Sequence, residues 1–168
     1  MQTRDVILDI LRKAYQIEVD GHTFYAMTAA KAAKPAVREL FEKLAEDEVE
    51  HQAFLRNVAT SYDQQGLAAF RTGRASDWTA ISQTIFSDRF REQAAGAEFE
   101  LATLSIGMTL ENNAIAYFSA AAARAEEKEV KGFYGFLADW EKQHLEALRN
   151  LYNAVRQDFW GAGGFSPF

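Results

Sequence analysis

The sequence predicts an all-α protein: a four-helix bundle made from one helical hairpin used twice, with a long crossover connection between the copies. Three observations carry this expectation. First, a Glu followed thirty residues later by Glu-x-x-His occurs twice, as Glu18, Glu48 and His51 and again as Glu111, Glu141 and His144. Each member of the second set lies 93 positions after its counterpart. Second, the same offset matches apolar positions: Leu8 with Leu101, Leu11 with Leu104, Val37 with Val130, Phe41 with Tyr134 and Leu44 with Leu137. The tripeptide Leu55, Arg56, Asn57 returns as Leu148, Arg149, Asn150. Third, the chain has only two prolines and is rich in Ala, Leu, Glu and Arg, which favour helix. Two copies of so long a unit make a repeated hairpin, not a solenoid.

The elements follow in order. A first helix is expected over about residues 3–32, and Pro35 suits the first turn of a second, to about residue 62. These form the first hairpin, 3–62. A connection over about 63–92 contains Gly66 and Gly73. It then offers a short helix capped by Ser76 or Asp77, with Trp78, Ile81 and Ile85 on one face. A connection of this length can return the chain along the bundle. The second hairpin, 93–158, comprises helices over about 93–124 and 128–158. The bundle thus occupies residues 1–160, and the Gly- and Phe-rich stretch 161–168 reads as a flexible tail.

Helical geometry gathers the repeated polar residues. Glu18 and Glu48 each lie about 14 residues from the turn near Lys34 and Pro35, or about 21 Å at ~1.5 Å per residue. Folding the hairpin brings them to one height, and the turn near Glu126 does the same for Glu111 and Glu141. The series Val37, Phe41, Leu44, Glu48, His51, Leu55 and Val130, Tyr134, Leu137, Glu141, His144, Leu148 step by four and three. Both are core seams interrupted by a Glu and a His. Around Glu18 stand Leu8, Leu11, Tyr15 and Tyr25; around Glu111 stand Leu101, Leu104, Met108 and Phe118.

Burying four carboxylates uncompensated is very costly, and a pair of cations supplies the compensation. Taken singly, a helical Glu is usually solvated and an inward His is usually a hydrogen-bonded core residue. Six in two matched registers form the ligand set of a two-metal bundle site. The other acids, Glu46, Asp47, Glu50, Asp139 and Glu146, read as solvated helix faces. His22 aligns with Ile115, which favours packing over a role as an extra ligand or supporting donor. Tyr25, two turns from Glu18, is expected in the core with its hydroxyl on a site carboxylate, as a supporting residue for catalysis.

Composition narrows the partners. At 168 residues, 48% hydrophobic and 25% charged, the chain is long enough for one domain with a sizeable core. A net charge of −6 without a basic stripe argues against nucleic acid. No cysteine means no disulfide, no thiolate ligand and no cysteine-bound electron-transfer centre. The first residues lack the apolar run of a signal peptide, and no stretch approaches a membrane-spanning length. A cytoplasmic protein without membrane contacts is expected.

The stretch Glu18-Val19-Asp20-Gly21-His22-Thr23-Phe24-Tyr25 and the stretch from Leu40 through Glu48 to His51 resemble the rubrerythrin branch of the ferritin-like superfamily. The second half, from Glu111 through Phe118 to His144, is similar. The resemblance covers most of residues 5–155. It implies a ferritin-like bundle with two iron ions per chain, manganese or zinc being alternatives. By the family pattern Glu48 and Glu141 bridge the metals, Glu18 and His51 serve one ion, and Glu111 and His144 serve the other. Rubrerythrins reduce hydrogen peroxide; relatives oxidise and store iron, activate oxygen for hydroxylation or use manganese. Rubrerythrins proper carry a second Glu where this chain has Ala114, and a rubredoxin-type centre that this chain cannot build. The nearer resemblance is to short members without that domain. Ala114 predicts a more symmetric site, with His51 and His144 bound in both redox states.

The expected activity is that of a di-iron oxidoreductase acting on peroxide or oxygen. The alternatives are a ferroxidase or iron-storage protein and a di-iron hydroxylase. Carboxylate and imidazole suit iron, manganese or zinc. Two ferrous ions carry the two electrons that peroxide reduction consumes. These must return from an external electron-donor protein or from incoming Fe(II). A homo-oligomer, a dimer, is the expected assembly.

Overall fold

The structure is a computed structural model and describes residues 4–70 and 98–162. Four long helices account for nearly all of these: α1 (Arg4–Lys31), α2 (Pro35–Gln65), α3 (Glu98–Arg124) and α4 (Lys128–Ala162). A 3-10 turn, Gly66–Ala69, follows α2. The architecture is an all-α four-helix bundle. Among the described residues no helix is long and apolar enough to cross a membrane.

The first turn is dictated locally. Pro35 stands at the start of α2, where its missing N–H costs nothing. It pushes Lys34 into an extended conformation (φ −85°, ψ 122°), which ends the preceding helix. Arg38 closes the turn by donating from Nη2 to the Ala32 carbonyl at 2.9 Å. α2 runs three residues past its expected end at Tyr62. It stops at Gly66, whose φ of +56° is open to glycine at little cost and whose N–H bonds the Tyr62 carbonyl.

α1 packs along α2 and α3 along α4, while α1 meets α3 more sparsely. The core divides into two apolar clusters. One joins the turn end of the first hairpin (Tyr25, Ala29, Val37, Phe41, Leu44) to Leu104 on α3 and to Leu148, Leu151 and Val155 on α4. The other joins the turn end of the second hairpin (Phe118, Val130, Phe133, Tyr134, Leu137) to Ile7, Leu11 and Ala14 on α1 and to Leu55 and Val58 on α2. The hairpins are therefore antiparallel, with their turns at opposite ends. The late part of α2 and the early part of α3 likewise lie at opposite ends.

The crossover expected to join those ends, with Trp78, Ile81 and Ile85, falls from residue 71 onward outside the described residues. α4 runs four residues past its expected end at Asp158 and takes Gly161 and Ala162 of the expected tail into the helix; the rest of that tail, 163–168, also lies outside the described residues.

On every helix the polar layer lies between the two clusters. Glu18 separates Ala14 from Tyr25, and Glu48 and His51 separate Leu44 from Leu55. Glu111 separates Leu104 from Phe118, and Glu141 and His144 separate Leu137 from Leu148. Each fully buried Leu or Phe contributes roughly 1.5–3 kcal/mol. Apolar contacts on both sides thus hold the helices around a layer of acids whose charges oppose their approach.

Candidate metal centre

All six repeated polar residues are buried, none more than 3% exposed. They form two overlapping quartets. Glu18, Glu48, His51 and Glu141 place one ligand atom each within 4.8 Å of the others, and so do Glu48, Glu111, Glu141 and His144. Glu48 and Glu141 belong to both. The arrangement follows from the hairpin repeat: α1 and α3 give one carboxylate each, while α2 and α4 give a Glu and a His one turn apart.

Both imidazoles turn Nδ1 toward the acids. His51 Nδ1 lies 3.0 Å from Glu18 Oε2 and 3.2 Å from Glu48 Oε2. His144 Nδ1 lies 3.3 Å from Glu48 Oε1, and 3.5 Å from both Glu111 Oε1 and Glu141 Oε2. On the far side of the rings, Asp47 Oδ2 accepts from His144 Nε2 at 2.9 Å. The same oxygen is 3.8 Å from His51 Nε2. Trp140 stacks on the His51 ring, with centroids 3.9 Å apart and planes within 5°. The Tyr25 hydroxyl donates to Glu111 Oε1.

Asp47 corrects the sequence reading. It was expected on a solvated face with Glu46, Glu50, Asp139 and Glu146, which are exposed; Asp47 is 3% exposed and holds a histidine. The signal was available, since Asp47 is four residues before His51 and three after Leu44, on the edge of the ligand seam. Its repeat counterpart is Trp140, so the position just before the shared Glu is buried in both hairpins. His22 lies in none of the ligand clusters. Its Nδ1 is 3.0 Å from the Ala45 carbonyl, which ties α1 to α2.

Crowding acids out of water perturbs their ionisation. Burial, opposed by the His51 hydrogen bond, pushes Glu18 up to about 8. Burial, reinforced by the charges of Glu18 and Glu111, raises Glu141 well above the carboxylate range. Burial also presses on Glu111, but the nearby His144 imidazole and the hydrogen bond from Tyr25 outweigh it and the carboxyl is lowered. Desolvation opposes charge on His144, yet Glu48 and the bond to Asp47 prevail and raise it. Tyr25 is raised by burial and by the Glu111 charge, so its hydroxyl keeps its proton.

A cavity of about 200 Å³ reaches the carboxylates between α1 and α3. Glu18, Glu48, Glu111 and Glu141 form its polar floor; Ile17, Leu110, Ala114 and Tyr117 contribute apolar wall. The matched small residues Gly21 and Ala114 both border it. At Gly21 even a Cβ would stand 3.0 Å from Glu48 Oε1.

A family model described as Rubrerythrin matches residues 9–152. The chain belongs to the rubrerythrin family. Neither the curated proteins nor the solved structures compared with it gave a match. The residues present fit the metal pair implied by a rubrerythrin. Glu18 Oε1, Glu48 Oε2 and Glu141 Oε1 are buried without a hydrogen-bond partner, a state that is costly for carboxylate oxygens and natural for metal ligands. The mixed carboxylate and imidazole set suits iron, manganese or zinc.

Proposed function

We propose that this member of the rubrerythrin family is a di-iron oxidoreductase that reduces hydrogen peroxide. Two iron ions per chain would be held by Glu18, Glu48, His51, Glu111, Glu141 and His144. The observation that carries the reading is the pair of quartets sharing Glu48 and Glu141. A ferrous pair bound there would supply two electrons, which with two protons from the solvent take hydrogen peroxide to two waters. The protein's own groups do the rest. Glu48 and Glu141 would serve both positions, while Glu18 with His51 and Glu111 with His144 would complete one each. Tyr25 keeps its proton and holds Glu111 through Oε1. Asp47 and Trp140 occupy the histidine side, leaving the cavity between α1 and α3 as the approach for a small oxidant. With no cysteine to build a second centre, electrons return from a separate donor protein.

The test is anaerobic Fe(II) loading with metal counting, then stopped-flow mixing with peroxide or oxygen. Two ions per chain and faster oxidation by peroxide are expected. Faster oxidation by oxygen would overturn the peroxidase reading. A second reading, a hydroxylase acting on a small apolar molecule, is favoured by the apolar wall of Ile17, Leu110, Ala114 and Tyr117. It predicts that such molecules shift the site's spectrum and that oxygen reacts faster in their presence.

A further inference from the structure

We propose that the two metal positions are unequal: the one closed by Glu111 and His144 fills first and binds more tightly than the one closed by Glu18 and His51. This rests on the di-metal reading above and comes from the groups surrounding the ligands. The six ligands repeat faithfully between the hairpins, but their supports do not.

Tyr25 donates a hydrogen bond to Glu111. The matching residue of the second hairpin is Phe118, which has no hydroxyl to offer Glu18. Glu18 Oε1 accordingly has no hydrogen-bond partner. Asp47 accepts from His144 Nε2 at 2.9 Å, while His51 Nε2, at 3.8 Å from the same oxygen, is beyond hydrogen-bond reach. The residue matching Asp47 is Trp140, which meets His51 through its ring face, and its Nε1 has no hydrogen-bond partner. Among the described residues, both polar supports therefore come from the first hairpin, and both act on the second hairpin's Glu111 and His144.

The physical consequence is preorganisation. A proton held on His144 Nε2 by a carboxylate selects the tautomer whose Nδ1 lone pair faces the acids, and it raises that nitrogen's basicity. A hydroxyl on Glu111 Oε1 fixes that carboxylate in the place a cation needs. Stacking orients the His51 ring but selects no tautomer. Removing supports of the first kind typically weakens metal binding by roughly 10–100-fold, and the same factor should separate the two positions.

The experiment uses the full chain, stripped of metal and given Co(II). Crystals grown with one equivalent should show anomalous scattering concentrated beside Glu111 and His144. Calorimetric titration should resolve two steps, about 10–100-fold apart. Tyr25→Phe, which removes one oxygen atom, should weaken the first step alone and even out the occupancies, with unchanged helicity by circular dichroism. Asp47→Asn should act in the same direction, and Trp140→Phe should leave the first step in place. If Asp47→Asn misfolds, Tyr25→Phe decides. Equal occupancy, prior filling beside His51, or a Tyr25→Phe effect shared by both steps would overturn the proposal while leaving the di-metal reading intact. Absence of bound Co(II) at either position would overturn both.

Discussion

The two hairpins share one plan and differ in what lies just behind it. Both carry Glu, then Glu-x-x-His, in the same register, and both bury all three. Around them the first hairpin places Gly21, Tyr25 and Asp47 where the second places Ala114, Phe118 and Trp140. Polar and small residues thus face aromatic and apolar ones across a pseudo-symmetric centre. The difference teaches that ligand identity and ligand support are separate properties. A repeat can preserve the first and let the second diverge, because packing tolerates Phe for Tyr or Trp for Asp once the neighbouring surfaces adjust.

The sharpest break would come from a residue that both halves use. Glu48 lies in both quartets, whereas Glu111 lies in one. Glu48→Ala should abolish tight binding of the pair, and Glu111→Ala should leave one ion bound. Metal analysis after dialysis reads this directly, with circular dichroism showing the helices retained. One ion surviving in Glu48→Ala would break the division into shared and terminal acids.

A smaller effect concerns pH in the metal-free protein. Glu18 is raised from 4.5 to about 8 by burial, so the folded state keeps a proton that the unfolded chain has released. Its contribution to stability is full below about pH 4.5 and is lost as pH rises toward 8. Glu111 is lowered, and its contribution runs the other way, present above its ordinary range and lost as pH falls. Between pH 5 and 8 the raised acids dominate. The stability of the metal-free protein should therefore fall with rising pH, by an amount on the order of a few kcal/mol, and its melting temperature should fall with it. Bound metal should remove the trend, since cations replace the protons. Glu18→Gln should flatten the slope and Glu111→Gln should not; an unchanged slope in Glu18→Gln would contradict the contrast.

The subtlest comparison is Gly21 against Ala114. A methyl group is accommodated at residue 114, but at residue 21 it would meet Glu48 at 3.0–3.1 Å. Gly21→Ala should stabilise the metal-free helix by up to about 1 kcal/mol, since Ala is the better helix former. It should also weaken metal binding by roughly tenfold, about 1.4 kcal/mol, by displacing the shared carboxylate. Thermal melts and metal titrations of the same variant check the opposite signs. A variant that gains stability and keeps its affinity would show that Glu48 has room to move.

Much of the centre was legible in the sequence because it is periodic. Spacing of three and four places Glu48 and His51 on the seam of Val37, Phe41, Leu44 and Leu55, and the 93-residue offset does the same for Glu141 and His144. Helix geometry turns that one-dimensional pattern into a face, and apolar burial turns the face inward. Asp47 escaped because its environment is set by another helix: its partner His144 lies 97 positions away. The stack of Trp140 on His51 and the closeness of Gly21 to Glu48 are likewise contacts between segments distant in the chain.

The sequence by itself determined the helices, the hairpin repeat, the inward-facing Glu and His residues and the kinship with rubrerythrins, since local propensity and periodicity act along one chain segment at a time. Only the tertiary structure decided that the hairpins run antiparallel, so that each half supports the other's ligands. It alone decided that the support is polar on one side and aromatic on the other. These features arise from packing between helices, where the free energy depends on which atoms meet across the bundle.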